Sequence, residues 1–325
     1  MKDLLRLFAG ALLLLGIPHG AGSAAKRINL SPKLHAGQAF SYQIGYRAET
    51  QTRTESAVAA PMAPAGGVTD EHLQLQCEVE EVRRENGGNV ARLRTWIVQP
   101  EAAPASAPPQ GAASAEPAPQ SIAKKKEIEF TLHANGQVSD LKGLDTLSTQ
   151  EQAAWQEWVA RFGVAAVFPE KGVRPRQKWK TFETVSSSAL AGLQWEKESE
   201  YVHDAPCKTM QLSPGGDLAD ASQTGETCAV ILTTATLRQK SSPKDATPED
   251  YKLHDLRTRG SAKGKNEIIT YISLKTGLVV RATEDARQSM DVVVAKADGT
   301  NRVHYNVDAE SHAEVLLVAA PPQNP

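Results

Sequence analysis

The familiar catalytic strings are missing from this 325-residue chain: it has no HExxH, no GxSxG, no GxxxxGK[ST], no GxGxxG behind a strand and no EF-hand loop. Cysteine is scarce, with three residues and no CxxC, which excludes a thiol-oxidoreductase motif. Aromatic residues are 5% of the chain, too few for an extended carbohydrate-stacking platform. The formal net charge of −2 leaves no electrostatic footprint for nucleic acid. Beyond the N-terminal apolar run no stretch is long enough to cross a bilayer as a helix, which takes roughly 20 residues.

What the chain does have begins with an address. Lys2 and Arg6 precede an apolar run from Leu7 to Ile17, followed by small residues ending at Ala25. That is the three-part pattern of a secretory signal peptide, cleaved near Ala25. No cysteine follows the run directly, so a diacylglyceryl anchor is not expected, and the mature chain should be periplasmic or extracellular without a stable membrane anchor. Export permits disulfides. Cys207 and Cys228 bracket a loop poor in core-forming residues; a bridge between them and a set of three free thiols, Cys77 included, both fit the sequence.

The rest reads as mainly β (α+β): two tandem curved antiparallel β-sheet units joined by a short amphipathic helix. Runs such as AFSYQIGYRAET, HLQLQCEVEEV, CAVILTTATLRQ and MDVVVAKADGTNRVHYNVDA alternate or are rich in β-branched residues, and Asn-Gly and Asp-Gly mark hairpin turns. In HLQLQCEVEEV the alternation breaks at Val82, as at a bulge. Ala/Pro-rich stretches at 56–67 and 100–120 lack the apolar residues to fold and read as long hairpin tips. Ser148 and Glu151 form a capping box, and Trp155, Trp158, Val159 and Phe162 follow at helical spacing. Thr247, Pro248 and the acids behind them start a second, very short helix.

Three local matches suggest the repeat. EIEFTLHANGQV (127–138) lies over IITYISLKTGLV (268–279) at an offset of 141 residues; Gln38 and Phe40 match Gln177 and Trp179; Ala91, Leu93 and Thr95 match Ala229, Ile231 and Thr233. The expected organisation is a signal peptide (1–25), a first β unit (26–147), the connecting helix (148–169), a second β unit (170–320) and a tail (321–325).

Candidate chemistry is thin. SSPK at 241–244 fits SxxK but lies in a Lys/Pro/Asp-rich loop. The histidines at 35, 72, 133, 203, 254, 304 and 312 show no ligand spacing, so no metal or other cofactor is expected. His304, Asn306 and Asp308 share one strand face, the expected solvated side of an alternating strand. Arg257, Arg259, Lys263 and Lys265 form the one compact basic segment; read as a loop whose glycines let backbone N–H groups converge, it could hold a phosphate or anionic headgroup. Trp155, Trp158, Phe162, Trp179 and Trp195 are candidates to line a ligand cleft.

The order of these features (the G-x-x-[FW]-x-Y opening strand, the Ile-x-Phe-x5-Gly-x-Val hairpin, the short helix and the repeated strands) resembles secreted bacterial families of unknown function built from curved antiparallel sheets. A fainter similarity is to periplasmic lipoprotein carriers, whose half-open barrel shelters acyl chains. The resemblance implies no specific activity. The leading expectation is a non-enzymatic exported protein that binds a hydrophobic ligand, such as a lipid, or another envelope protein. A structural or adhesive envelope component is the alternative, and a hydrolase with a dispersed site ranks third.

Overall fold

The computed structural model describes residues 27–56, 65–85, 88–98, 127–146, 167–169, 171–185, 188–208, 210–212, 218–220 and 225–318. The strands are β1 (Ala39–Ser56), β2 (Ala65–Glu85), β3 (Gly88–Val98), β4 (Glu127–Leu132), β5 (Val138–Lys142), β6 (Lys178–Thr184), β7 (Leu193–Pro206), β8 (Met210–Leu212), β9 (Leu218–Asp220), β10 (Thr227–Gln239), β11 (Leu256–Ser273), β12 (Val279–Lys296) and β13 (Val303–Val318). One helix of five residues, α1 (Glu249–Leu253), precedes β11.

Eleven strands form one antiparallel sheet in the order β5-β4-β3-β2-β1-β13-β12-β11-β10-β7-β6, with the β8–β9 hairpin off this path. Two meanders, β1 to β5 and β6 to β13, therefore meet where β1 pairs with β13 over sixteen residues, from Ser41↔Val318 to Ser56↔Val303. The halves belong to one continuous sheet, not to separate sheets. Most residues expected to form the joining helix (148–169), among them Trp155, Trp158 and Phe162, lie outside the described residues, as do the signal segment and most of the two Ala/Pro-rich stretches; the described end, 167–169, is not helical. The first of those stretches is shorter than its composition suggests: β1 runs to Ser56 and β2 opens at Ala65, with Gly66 and Gly67 already paired to Gln51 and Thr50.

Period-two alternation gives the sheet an inner and an outer face. On the inner face the main core joins both wings. Phe40, Tyr42, Leu75, Val79, Leu93, Ile128 and Phe130 from one wing cluster with Tyr201, Ile231, Ile272, Val279 and Val315 from the other. Each such side chain contributes roughly 2 kcal/mol on burial. Strands from opposite wings sharing a core means that the sheet curls upon itself at this end. The end is closed by the N-terminal strap, whose Leu30 and Leu34 are buried, and by Phe168 and Val173; Ile28 and Val173 exchange backbone hydrogen bonds of 2.8 and 2.9 Å. The buried Tyr42 hydroxyl donates to the Val279 carbonyl at 3.0 Å. A smaller cluster of Leu190, Leu193, Leu237, Ala246 and Val292 lies farther along the long strands.

Two of the three local sequence matches coincide with like local structure. Gln38 N–H donates to the His35 carbonyl while the His35 N–H donates to the Gln38 side chain; Gln177 and Arg174 make the same reciprocal pair. The residue between is left-handed in both, Gly37 at φ 79° and Arg176 at φ 64°. Each turn then opens a strand and binds the next through Val79 or Tyr201. Ala91, Leu93 and Thr95 are buried, as are their matches Ala229, Ile231 and Thr233. The third match needs a correction. Gly136 and Gly277 do sit in like turns, at φ 84° and 70°. Yet Ile128 and Phe130 face the core, whereas Ile269 and Tyr271 lie on the opposite face from the buried Ile268, Thr270 and Ile272. The second turn is one residue longer: the Gly136 N–H bonds back three residues to the His133 carbonyl, the Gly277 N–H four residues to the Ser273 carbonyl, and one residue exchanges the two faces of a strand.

Other details agree or differ in small ways. A register shift between Val79 and Glu81 marks the bulge expected at the break before Val82. Thr247 does not cap α1. Pro248 occupies that place without a side-chain bond, and the buried Thr247 hydroxyl instead accepts from the Thr258 N–H at 2.9 Å. Cys207 and Cys228 are disulfide-bonded, tying the end of β7 to the start of β10 across the β8–β9 excursion. Cys77 is buried and free, and desolvation pushes its thiol far above the usual range, so it is not a reactive thiolate.

Carboxylates on the outer face give the sheet an acid limit. A hydrogen bond from Arg92 holds the Glu129 carboxyl below its usual value of 4.5, and Lys180 does the same for Glu196. A depressed folded-state pKa adds stability above the unfolded pKa and loses it as pH falls through the folded value. The urea midpoint should therefore hold from neutral pH down to about 5 and fall below about 4.5. Glu129→Gln should lower the neutral midpoint and flatten that fall.

Candidate functional site

The two cations expected to open the basic segment, Arg257 and Arg259, and the two that end it, Lys263 and Lys265, do not lie in a loop. All four lie in β11, on its outer face, exposed and separated by smaller residues. The charge-and-glycine sequence has low strand propensity, but ladders to β10 and β12 on both sides override it. Backbone N–H groups here serve the sheet and cannot converge on an anion, so recognition would fall to the side chains.

The outer face over the five long central strands is a charged lattice. One row across β1, β13, β12, β11 and β10 reads Arg47, His312, Asp285, Glu267 and Thr234; the next reads Glu49, Glu310, Arg287, Lys265 and Thr236. Side chains of both rows line a cleft of about 710 Å3. A second cleft of about 480 Å3 shares Thr236, Lys265, Arg287 and Glu310 with it and extends to Arg238, Lys263, Ser289 and Asp308. His312 Nδ1 lies 2.9 Å from Asp285 Oδ1, and Arg287 lies 3.4 Å from Glu310. The Arg287 and Glu310 side chains are 79% and 68% exposed, so the pair adds little to stability and its members remain available to a ligand. Nearby, His304 lies 3.2 Å from Asp291 and 3.5 Å from Glu55, on the same polar face as Asn306 and Asp308.

The inner face opposite carries a polar seam between the two apolar clusters. The buried Lys197 ammonium is paired with Glu183; the Ser199 and Thr233 hydroxyls are 2.7 Å apart; the Asn266 amide donates to Glu284 at 2.6 Å. Pairing offsets the cost of burying Lys197.

The tryptophans expected at a ligand cleft separate. Trp179 belongs to the main core, donates its indole N–H to the Val167 carbonyl at 3.0 Å and lies against Phe168. Trp195 packs in the second cluster, over Gly264. A β-carbon at Gly264 would sit 2.7 Å from the indole Cη2 and 3.1 Å from Leu237 Cβ. Gly264→Ala is therefore expected to cost about 1–3 kcal/mol in chemical denaturation through overpacking, while Gly67→Ala, with open space around it, costs less.

Four cleft residues escaped the sequence reading: Arg238, Arg287, Asp285 and Glu310. Each belongs to a different run from the basic segment, and only strand register brings them beside it. For Asp285, Arg287 and Glu310 the signal was the period-two charge in RATEDARQS and DAESHAE; Arg238 lies in neither run. Among the described residues no group of three or more His, Cys, Asp or Glu side chains is placed to hold a metal ion, and no helix is long and apolar enough to cross a membrane.

Neither models of known protein families nor characterised proteins give a match to the chain. Among solved structures, a "putative lipoprotein" from Parabacteroides distasonis ATCC 8503 aligns over 90% of this chain and 98% of its own, at 10% identity and a TM-score of 0.28. The outer membrane protein OprG from Pseudomonas aeruginosa aligns over 88% of this chain and 99% of its own, at 7% identity and a TM-score of 0.18. Likenesses at these values carry no argument about this chain.

Proposed function

We propose that the protein is an exported, non-enzymatic binding protein of the cell envelope that engages a ligand or partner through the outer, charged face of β1 and β10 to β13. The observation that carries this reading is the open cleft of about 710 Å3 spanning five strands, lined by side chains of both signs that the fold does not need for its core. Two independent features support export: the signal-peptide pattern ending at Ala25 and the Cys207–Cys228 bridge, a bond that persists in oxidising compartments. The main core end is filled by its own side chains, which favours the polar face over an apolar ligand held inside. The paired turns at Gln38 and Gln177 further support descent of the two meanders from one duplicated unit.

Native mass spectrometry of mature protein purified from a periplasm, followed by organic extraction, tests this reading. The expected result is a bound species released by raised salt, since exposed charges are screened. An apolar molecule that stays bound through high salt and is recovered only in the organic extract would overturn it.

A further inference from the structure

The narrower arm of the cleft is electrostatically unbalanced. Lys263 and Lys265 project into it from β11, Arg238 from β10 and Arg287 from β12. Lys265 stands directly opposite Arg287 in the β11–β12 register. Like charges facing each other across strands are destabilising, so a sheet gains nothing structural from this arrangement. Arg287 is engaged by Glu310 and Arg238 by Glu196, at 3.4 and 3.5 Å. Neither lysine makes an ion pair among the described residues. Elsewhere on the outer face Lys178, Lys180, Arg92 and Arg94 each meet carboxylates across the ladder, which is how this sheet treats cations it uses for structure.

The four cations surround one small space. Residues two apart on a strand lie roughly 7 Å apart and facing residues roughly 5 Å apart. A single carboxylate would satisfy one arginine fork; four cations from three strands suit a compact, multiply charged oxyanion. Behind them the floor is stiff, because Trp195 packs against the Gly264 backbone between the two lysines. Asp308 and Glu310 on the far wall would accept hydrogen bonds from hydroxyl groups of the ligand.

We propose that this arm is a binding site for a phosphoryl-bearing ligand, the phosphate or diphosphate group being held by Lys263 and Lys265 with Arg287 and Arg238 completing the ring. The proposal rests on the reading of the polar face as the binding surface and names the chemistry recognised there.

Calorimetric titration of the mature, disulfide-bonded protein with inorganic diphosphate tests it. Binding that weakens with salt is expected. Lys263→Gln with Lys265→Gln should weaken it roughly tenfold or more. Arg257→Gln with Arg259→Gln, on the same strand outside the cleft, should change it less than about twofold, since screened charges beyond a Debye length count little. Neither double variant should unfold below the wild-type temperature, because all four side chains are exposed and the lysine variant relieves the Lys265–Arg287 repulsion. No diphosphate binding by the wild type, or equal losses in the two variants, overturns the proposal. Sedimentation with phosphatidylglycerol vesicles, against phosphatidylcholine, then separates the sources. Vesicle binding lost in the lysine variant assigns a lipid headgroup, and diphosphate binding without vesicle binding assigns a soluble phosphate ester. If diphosphate fails while the polar face still captures a partner, only this site falls and the broader reading stands.

Discussion

Gly277→Ala should destabilise the protein by about 3 kcal/mol or more, the sum of left-handed strain and overpacking. Gly277 closes the β11–β12 turn at φ 70°, and a β-carbon there would lie 2.1 Å from the Ser31 carbonyl oxygen and 2.9 Å from Pro32 Cα. Those are backbone atoms of the N-terminal strap and cannot swing aside. The same turn holds the strap by a 2.7 Å bond from the Lys33 N–H to the Thr276 carbonyl, and the strap delivers Leu30 and Leu34 to the core. Urea denaturation should show the loss, and limited proteolysis should show early cleavage near residues 27–38. Gly299→Ala is the control. Its φ is 85° but nothing lies within 4 Å of the added carbon, so only the conformational cost of about 1 kcal/mol is expected. Equal effects at the two sites would mean that the strap is not seated on the turn.

Replacing Cys207 and Cys228 together by alanine should cost about 3 kcal/mol, from the entropy released when a loop of this size is opened in the unfolded chain. The two cysteines are 21 residues apart and span the β8–β9 hairpin between β7 and β10. Wild-type protein in reductant should match the double variant, because Cys77 is buried in the core and offers no alternative partner. Protein made in a reducing compartment should be less stable by the same amount. A reductant-insensitive urea midpoint would show that the bridge contributes nothing to the fold.

The mainly β fold was legible because period-two alternation in runs such as HLQLQCEVEEV is a strong local signal, and even its bulge left a mark. The likeness of the two strand-opening turns was legible through Gln38 and Gln177, which cap the same geometry. The single sheet was not legible, since the β1–β13 ladder joins residues more than 240 positions apart, and nothing local specifies that contact. The hairpin match misled by one residue because Ile269 and Tyr271 are apolar too, so residue type alone could not tell which face they take. The basic segment was misplaced for the opposite reason. Glycine and cations read locally as loop, and only pairing on both flanks makes them a strand. The cleft was half legible for the same cause: Lys263 and Lys265 are sequence neighbours, whereas Arg238 and Arg287 join them only through register.

The most direct test of the account is photo-crosslinking in living cells from one residue on each face at the same height of the sheet. A crosslinking residue at Thr236, in the cleft on β10, and another at Thr50, on the inner face of β1, would be compared. The account predicts adducts from Thr236 and none from Thr50. Adducts from Thr50 alone would contradict it and place the working surface on the inner face.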